Sequence, residues 1–217
     1  SQMLSRDSRN RAEFPTAGSR FQLENTYSGG FLGGNENFQK HILDLNWFTP
    51  TFSKVVLYNS FKLGVIKTLD VGDDIQSFVP FDERFIMGGN GIPYGNALRG
   101  YPDNSIGPQT ASGQAVGGSS MGKVTTELRF PLSENPVIYV MAFGEMGNVW
   151  NSSKMSEPFY IDRNGPLSMK KSAGVGVRFF MPGIGKLGFD MGYGFDDING
   201  DGNPQGWEYT ITFGQTY

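Results

Sequence analysis

Period-two alternation constrains this chain more than any other feature. In Leu187 to Asp196, the residues Leu187, Phe189, Met191, Tyr193 and Phe195 alternate with Gly188, Asp190, Gly192, Gly194 and Asp196. In Lys171 to Met181, the set Ala173, Val175, Val177, Phe179 and Met181 alternates with Ser172, Gly174, Gly176, Arg178 and Phe180. Such spacing puts each set on its own face of a strand. Segments of about ten residues are long enough for a tilted strand to cross a bilayer. A greasy face opposite one of glycine and charge suits a wall between lipid and a polar interior.

Noisier segments of the same kind run from Ser19 to Tyr27, Lys40 to Phe48, Lys54 to Ile66, Met121 to Phe130, Val137 to Met146 and Trp207 to Tyr217. The reading is therefore all-β: an antiparallel transmembrane β-barrel of about eight strands occupying residues 15–217, with residues 1–14 a remnant strand or tail. The connections alternate in length. Short ones lie at Pro15 to Gly18, Pro50 to Ser53, Pro131 to Pro136 and Pro182 to Gly185; long ones lie at Ser28 to Asn37, Lys67 to Ser120, Asn148 to Met169 and Asp196 to Gly206. Short periplasmic turns and long extracellular loops produce this alternation in an outer-membrane barrel. Trp47, Phe48, Trp150, Tyr193, Phe195, Trp207 and Tyr217 stand near strand ends, where aromatic girdles are expected.

Composition removes other classes. No run of eighteen apolar residues is present, which excludes a spanning helix. The formal net charge of -3, with Lys and Arg scattered, offers no basic face for nucleic acid. Cysteine is absent, so disulfides and thiolate metal sites are excluded. Ser1-Gln2-Met3 leads into a polar run, so an exported protein would be read here in mature or truncated form. The only histidine, His41, shares parity with Leu43, Leu45 and Trp47 and is expected to face outward. No serine, histidine and acid set assembles, and no enzymatic activity or cofactor is expected.

The longest connection, residues 67–120, carries Phe85-Ile86-Met87-Gly88-Gly89, then Ala97-Leu98-Arg99-Gly100-Tyr101, then Ser105-Ile106-Gly107-Pro108. This ordered set resembles the sixth extracellular loop of BamA-type outer-membrane assembly factors. Phe14-Pro15-Thr16-Ala17-Gly18-Ser19-Arg20 and Ala115-Val116-Gly117-Gly118 resemble flanking parts of the same barrel. The stretch Asn90 to Asn96, between the glycine pair and the arginine tip, is longer than the family's usual spacing. The resemblance implies the carboxy-terminal half of such a barrel, in the outer membrane. It further implies a loop-tip motif of Leu98, Arg99, Gly100 and Tyr101 reaching back into the lumen. Its acidic partners on the next two strands would be Glu127 and Glu145. Parity supports Glu127, which travels with Lys123, Thr125 and Arg129. Glu145 travels with Val137, Tyr139, Met141 and Phe143, so either these bulky groups pack inside or a bulge shifts the register.

The resemblance also implies a seam strand made of Trp207, Tyr209, Ile211, Phe213 and Tyr217. Implied partners are the lipid bilayer, client β-barrel proteins and, in the full-length protein, periplasmic domains and assembly-complex lipoproteins. Unpaired backbone in hydrocarbon costs several kcal/mol per group. The sheet must therefore close or pair with a copy; closure as a single eight-stranded barrel is preferred because Gly174, Gly176, Gly188, Gly192 and Gly194 leave room in a narrow interior, with edge-to-edge pairing of two half barrels as the alternative. A second functional class is a small structural or adhesion barrel that binds ligands through its long loops. Asp197, Asn199, Asp201 and Glu208 match calcium-loop spacing, but an acidic hairpin loop in water is the favoured reading and no metal is expected.

Overall fold

The computed structural model describes residues 1–30, 33, 36–69, 79–92, 95–110, 112–151, 168–181 and 185–214. Among the described residues nine strands form one antiparallel sheet in sequence order: β1 (Gln2–Asp7), β2 (Gly18–Ser28), β3 (Phe38–Pro50), β4 (Val56–Thr68), β5 (Ser120–Glu134), β6 (Val137–Trp150), β7 (Lys170–Met181), β8 (Gly185–Gly194) and β9 (Gly206–Phe213). No helix is long and apolar enough to cross a membrane among the described residues.

The alternation sorts the faces as the sequence implies. On β7 and β8, Val175 and Phe189 are about half exposed, at 51% and 43%, whereas Arg178 and Asp190 on the opposite parity are buried. Leu63, Leu128, Phe130, Val140, Tyr209, Ile211 and Phe213 extend the exposed apolar surface over the other strands. His41 lies among them, its Nδ1 2.7 Å from Asn25 Oδ1 and its ring edge-on to Tyr27. An outward apolar face this wide is what a lipid contact requires. Phe48 departs from the girdle expectation. One residue after outward-facing Trp47, it points inward and stacks on Tyr58 with ring centroids 4.9 Å apart.

The sheet curves around its own longest connection. Two apolar clusters fill the concave side. One gathers Phe85, Met87, Leu98, Tyr101 and Ile106 of the loop with Phe38, Ile66, Met121 and Val149 of the wall, toward the long-loop end. The other joins Phe14, Phe48, Val56, Tyr58, Tyr139 and Met141 toward the short-turn end. Phe14 reaches this second cluster because residues 8–17, longer than a tight turn, fold inward. Asn10 Oδ1 accepts the Thr16 and Ala17 amides there, and the Phe14 ring meets Tyr139 at 5.0 Å.

The amino-terminal segment, expected as a remnant strand or a tail, is a strand, β1, paired with β2 from Gln2↔Asn25 to Asp7↔Arg20. One expectation changes. The preferred closure of eight strands is not found: the sheet is open, with β1 and β9 as edges. The loop takes only part of the room the inward glycines leave: Gly192 and Gly194 lie against Gly100, whereas Gly174, Gly176 and Gly188 give way to Phe143, Asp190 and Arg178 of the wall.

Candidate functional site: a loop arginine among carboxylates

Between the apolar clusters lies a charged layer centred on Arg99. Its Nη2 is 2.6 Å from Glu127 Oε1 on β5 and 2.8 Å from Glu145 Oε1 on β6, and its Nη1 is 3.5 Å from Asp190 Oδ1 on β8. The Arg99 backbone amide also donates to Glu145 Oε2 at 2.9 Å. All four residues are buried. A guanidinium suits this place because its planar fork serves several carboxylates at once and keeps its charge when desolvated.

The carboxylates are shared outward with further cations. Glu127 takes Arg129 at 2.7 Å, Glu145 takes Lys123 Nζ at 3.0 Å, and Asp190 takes Arg178 at 2.7 Å. Thr125 Oγ1 adds a hydrogen bond to Glu145. The chain of alternating charge leaves no acid in this layer without a cation. Phe143 lies under the guanidinium, 3.7 Å from its carbon, and Met141 Sδ is 3.9 Å from Nη1. The question of β6 is thereby answered: Tyr139, Met141 and Phe143 pack inside with Glu145. The register shift on this hairpin falls at Pro131/Ser133, away from the site.

Backbone contact brings the tip to the wall. Gly100 has φ +85°, and a Cβ there would sit 2.9 Å from Ser172 Cβ and 3.0 Å from the Tyr193 carbonyl carbon. On β8, a Cβ at Gly192 would sit 2.8 Å from the Gly100 nitrogen. Two glycines thus face each other, and neither strand nor loop has room for a methyl group. Leu98 is fully buried in the apolar cluster beside the tip. Tyr101 is buried on the far side of the tip. Its hydroxyl is 2.8 Å from Asp196 Oδ2 and 2.6 Å from the Lys171 carbonyl oxygen. Burial, then the bond to Asp196, pushes this phenol above its usual range, so it acts as a neutral donor. Tyr101→Phe is expected to lower stability by about 1 to 2 kcal/mol, through the lost hydrogen bond to the Asp196 carboxylate. The denaturant midpoint in detergent micelles would reveal it, and an unmoved midpoint would remove Tyr101 from the anchor.

Sequence reasoning placed Leu98, Arg99, Gly100, Tyr101, Glu127 and Glu145, and the structure brings them together. It missed Asp190 as a third partner, although that residue stood on the glycine face of β8. Of the seam residues, Trp207, Tyr209, Ile211 and Phe213 line the outward face of β9, and Tyr217 lies outside the described residues. The calcium-spaced residues do not converge. The Asp197 carboxylate accepts the amides of Asn199, Gly200 and Gly202, and Glu208 is engaged by Gln205. Among the described residues no three acidic or histidine side chains are grouped to hold a metal ion.

A membrane-type β-wall whose long loop is locked inside by an arginine and carboxylates defines an outer-membrane β-barrel protein with a lumenal loop. The chain belongs to the Omp85 superfamily, whose domain matches residues 1–216. It is similar to the outer membrane protein assembly factor BamA of Nitratidesulfovibrio vulgaris, with 28% identity over 215 residues covering 99% of this chain and 25% of that protein. Its fold is similar to the crystal structure of BamA from Haemophilus ducreyi lacking POTRA domains 1-3. The TM-score there is 0.74 at 22% identity, covering 97% of this chain and 41% of the other. The chain thus spans about a quarter of the length of the Nitratidesulfovibrio vulgaris protein.

Proposed function

We propose that this chain supplies the carboxy-terminal part of an outer-membrane β-barrel that helps fold and insert other β-barrel proteins. The anchored loop carries the reading: Arg99, held by Glu127, Glu145 and Asp190, fixes a long extracellular connection on the inside of the wall. A loop built to bind external ligands would instead present its tip to solvent. The similarity to a protein named as an assembly factor supports the same reading.

In this role the outward face meets the lipid bilayer, and the work is mechanical, without covalent chemistry. Client β-barrel polypeptides are the substrates, and periplasmic domains of the complete protein with accessory lipoproteins are the further partners. The open edges of β1 and β9 are satisfied in hydrocarbon by strands outside this chain, either upstream ones of the same polypeptide or those of a second copy. Molecular mass in detergent distinguishes these two arrangements.

The test is an insertion assay. The complete protein in liposomes is expected to accelerate insertion of an unfolded client barrel several-fold over empty liposomes. No acceleration would overturn the proposal and leave the ligand-binding barrel as the alternative.

A further inference from the structure

The inward-folded turn of residues 8–17 and the loop tip lie at different depths of the interior, yet an unbroken series of side-chain contacts joins them. The turn is braced on itself: Asn10 Nδ2 donates to Thr16 Oγ1 at 2.6 Å, while Asn10 Oδ1 accepts the two amides that follow Pro15. This brace holds Phe14 against Tyr139. Next in the series stands Arg129, its guanidinium carbon 3.9 Å from the Tyr58 ring centroid, 5.5 Å from that of Phe48 and 5.6 Å from that of Tyr139. Three rings therefore hem in one cation, and a planar guanidinium set against ring faces has few orientations left.

The other side of Arg129 meets the charged layer. Its Nε and Nη2 both reach Glu127 Oε2, at 2.8 and 2.7 Å, whereas Arg99 Nη2 takes Glu127 Oε1 at 2.6 Å. One carboxylate is thus divided between two arginines, an oxygen to each, so a turn of Arg129 also turns the group that holds Arg99. The wall residues of this series, Phe48, Tyr58, Glu127, Arg129 and Tyr139, stand on β3 to β6, strands that are paired on both sides within the chain. Nothing in the series depends on the sheet edges.

We propose that Arg129 is a positioning residue that couples the turn of residues 8–17 to the loop tip. Seating of Phe14 fixes the rings, the rings orient Arg129, and Arg129 orients the carboxylate that grips Arg99. A periplasmic contact that draws Phe14 outward therefore slackens the hold on Arg99 without touching the loop. This coupling goes beyond the assembly role and its test needs no client.

In the complete protein in detergent micelles, Phe14→Ala is expected to speed tryptic cleavage of the Arg99–Gly100 bond by about fivefold or more. In an Arg129→Leu background the same change should alter the rate less than about twofold, because the link it acts through is already gone. Two merely structural losses would multiply instead. Equal factors in both backgrounds, or no acceleration by Phe14→Ala, overturn the proposal. Should either variant fail to fold, hydrogen exchange decides with Phe14→Leu, which keeps apolar bulk and loses the ring. Exchange at residues 97–101 should rise about fivefold while residues 175–181 stay unchanged. A uniform rise, or none, overturns the coupling.

Discussion

Replacing Arg99 with alanine is expected to cost about 3 to 5 kcal/mol of stability and to release the loop from the wall. The reason lies more in what remains than in what is lost. Glu127, Glu145 and Asp190 are buried, and each would retain only its outer cation: Arg129, Lys123 and Arg178 respectively. Facing carboxylates with the central charge gone repel one another in a poorly hydrated layer. Arg99→Lys should recover only part of the loss, since an ammonium cannot present the forked donors that reach two strands together. The measurements are the heat-modifiability shift on a gel and the denaturant midpoint in micelles. If Arg99→Ala migrates and melts as the parent does, the charged layer is not what anchors the loop.

Gly192→Val should have an effect of similar size by a route that leaves every charge in place. The added side chain would enter the space where the Gly100 nitrogen already lies 2.8 Å from an ideal Cβ, and β8 cannot yield without breaking its ladders to β7 and β9. Overpacking of this kind typically costs about 1 to 3 kcal/mol. Here it also lifts Arg99 from Asp190, so about 3 kcal/mol or more is expected in all. The informative readout is trypsin: the Arg99–Gly100 bond is buried in the parent, and in Gly192→Val it should be cut within minutes. Continued protection would show that the wall tolerates bulk at Gly192 and that the close approach is incidental.

The two substitutions probe what was differently legible in the sequence. Strand faces could be read because a two-residue period in β7 and β8 leaves little choice of which side chains meet lipid. Glu127 followed from the same parity. Glu145 did not, since its apolar neighbours made the inner face of β6 look like an outer one. Only the packing of Phe143 against the Arg99 guanidinium shows why aromatic groups belong inside there. Phe48 was misplaced for the converse reason, its position near a strand end having outweighed its parity. Asp190 was legible as inward-facing but not as a partner, because its meeting with Arg99 joins positions far apart in the chain, and no local period carries that information. Closure of the sheet was beyond reach for a related reason. Alternation fixes which way a strand faces, but the strand that completes its edge is a matter of the whole polypeptide.

The placement of the loop between β4 and β5, with its final contacts on β8, imposes an order on assembly. A polypeptide emerging amino terminus first presents Arg99 long before Asp190, 91 residues further on, exists to receive it. Contacts so distant form late, since the entropy of closing large loops opposes them until the last hairpin arrives. The interior is therefore completed last: Glu127 and Glu145 can take Arg99 once β5 and β6 are in place, whereas Asp190 and the close seat of Gly100 against Gly192 arrive only with β8.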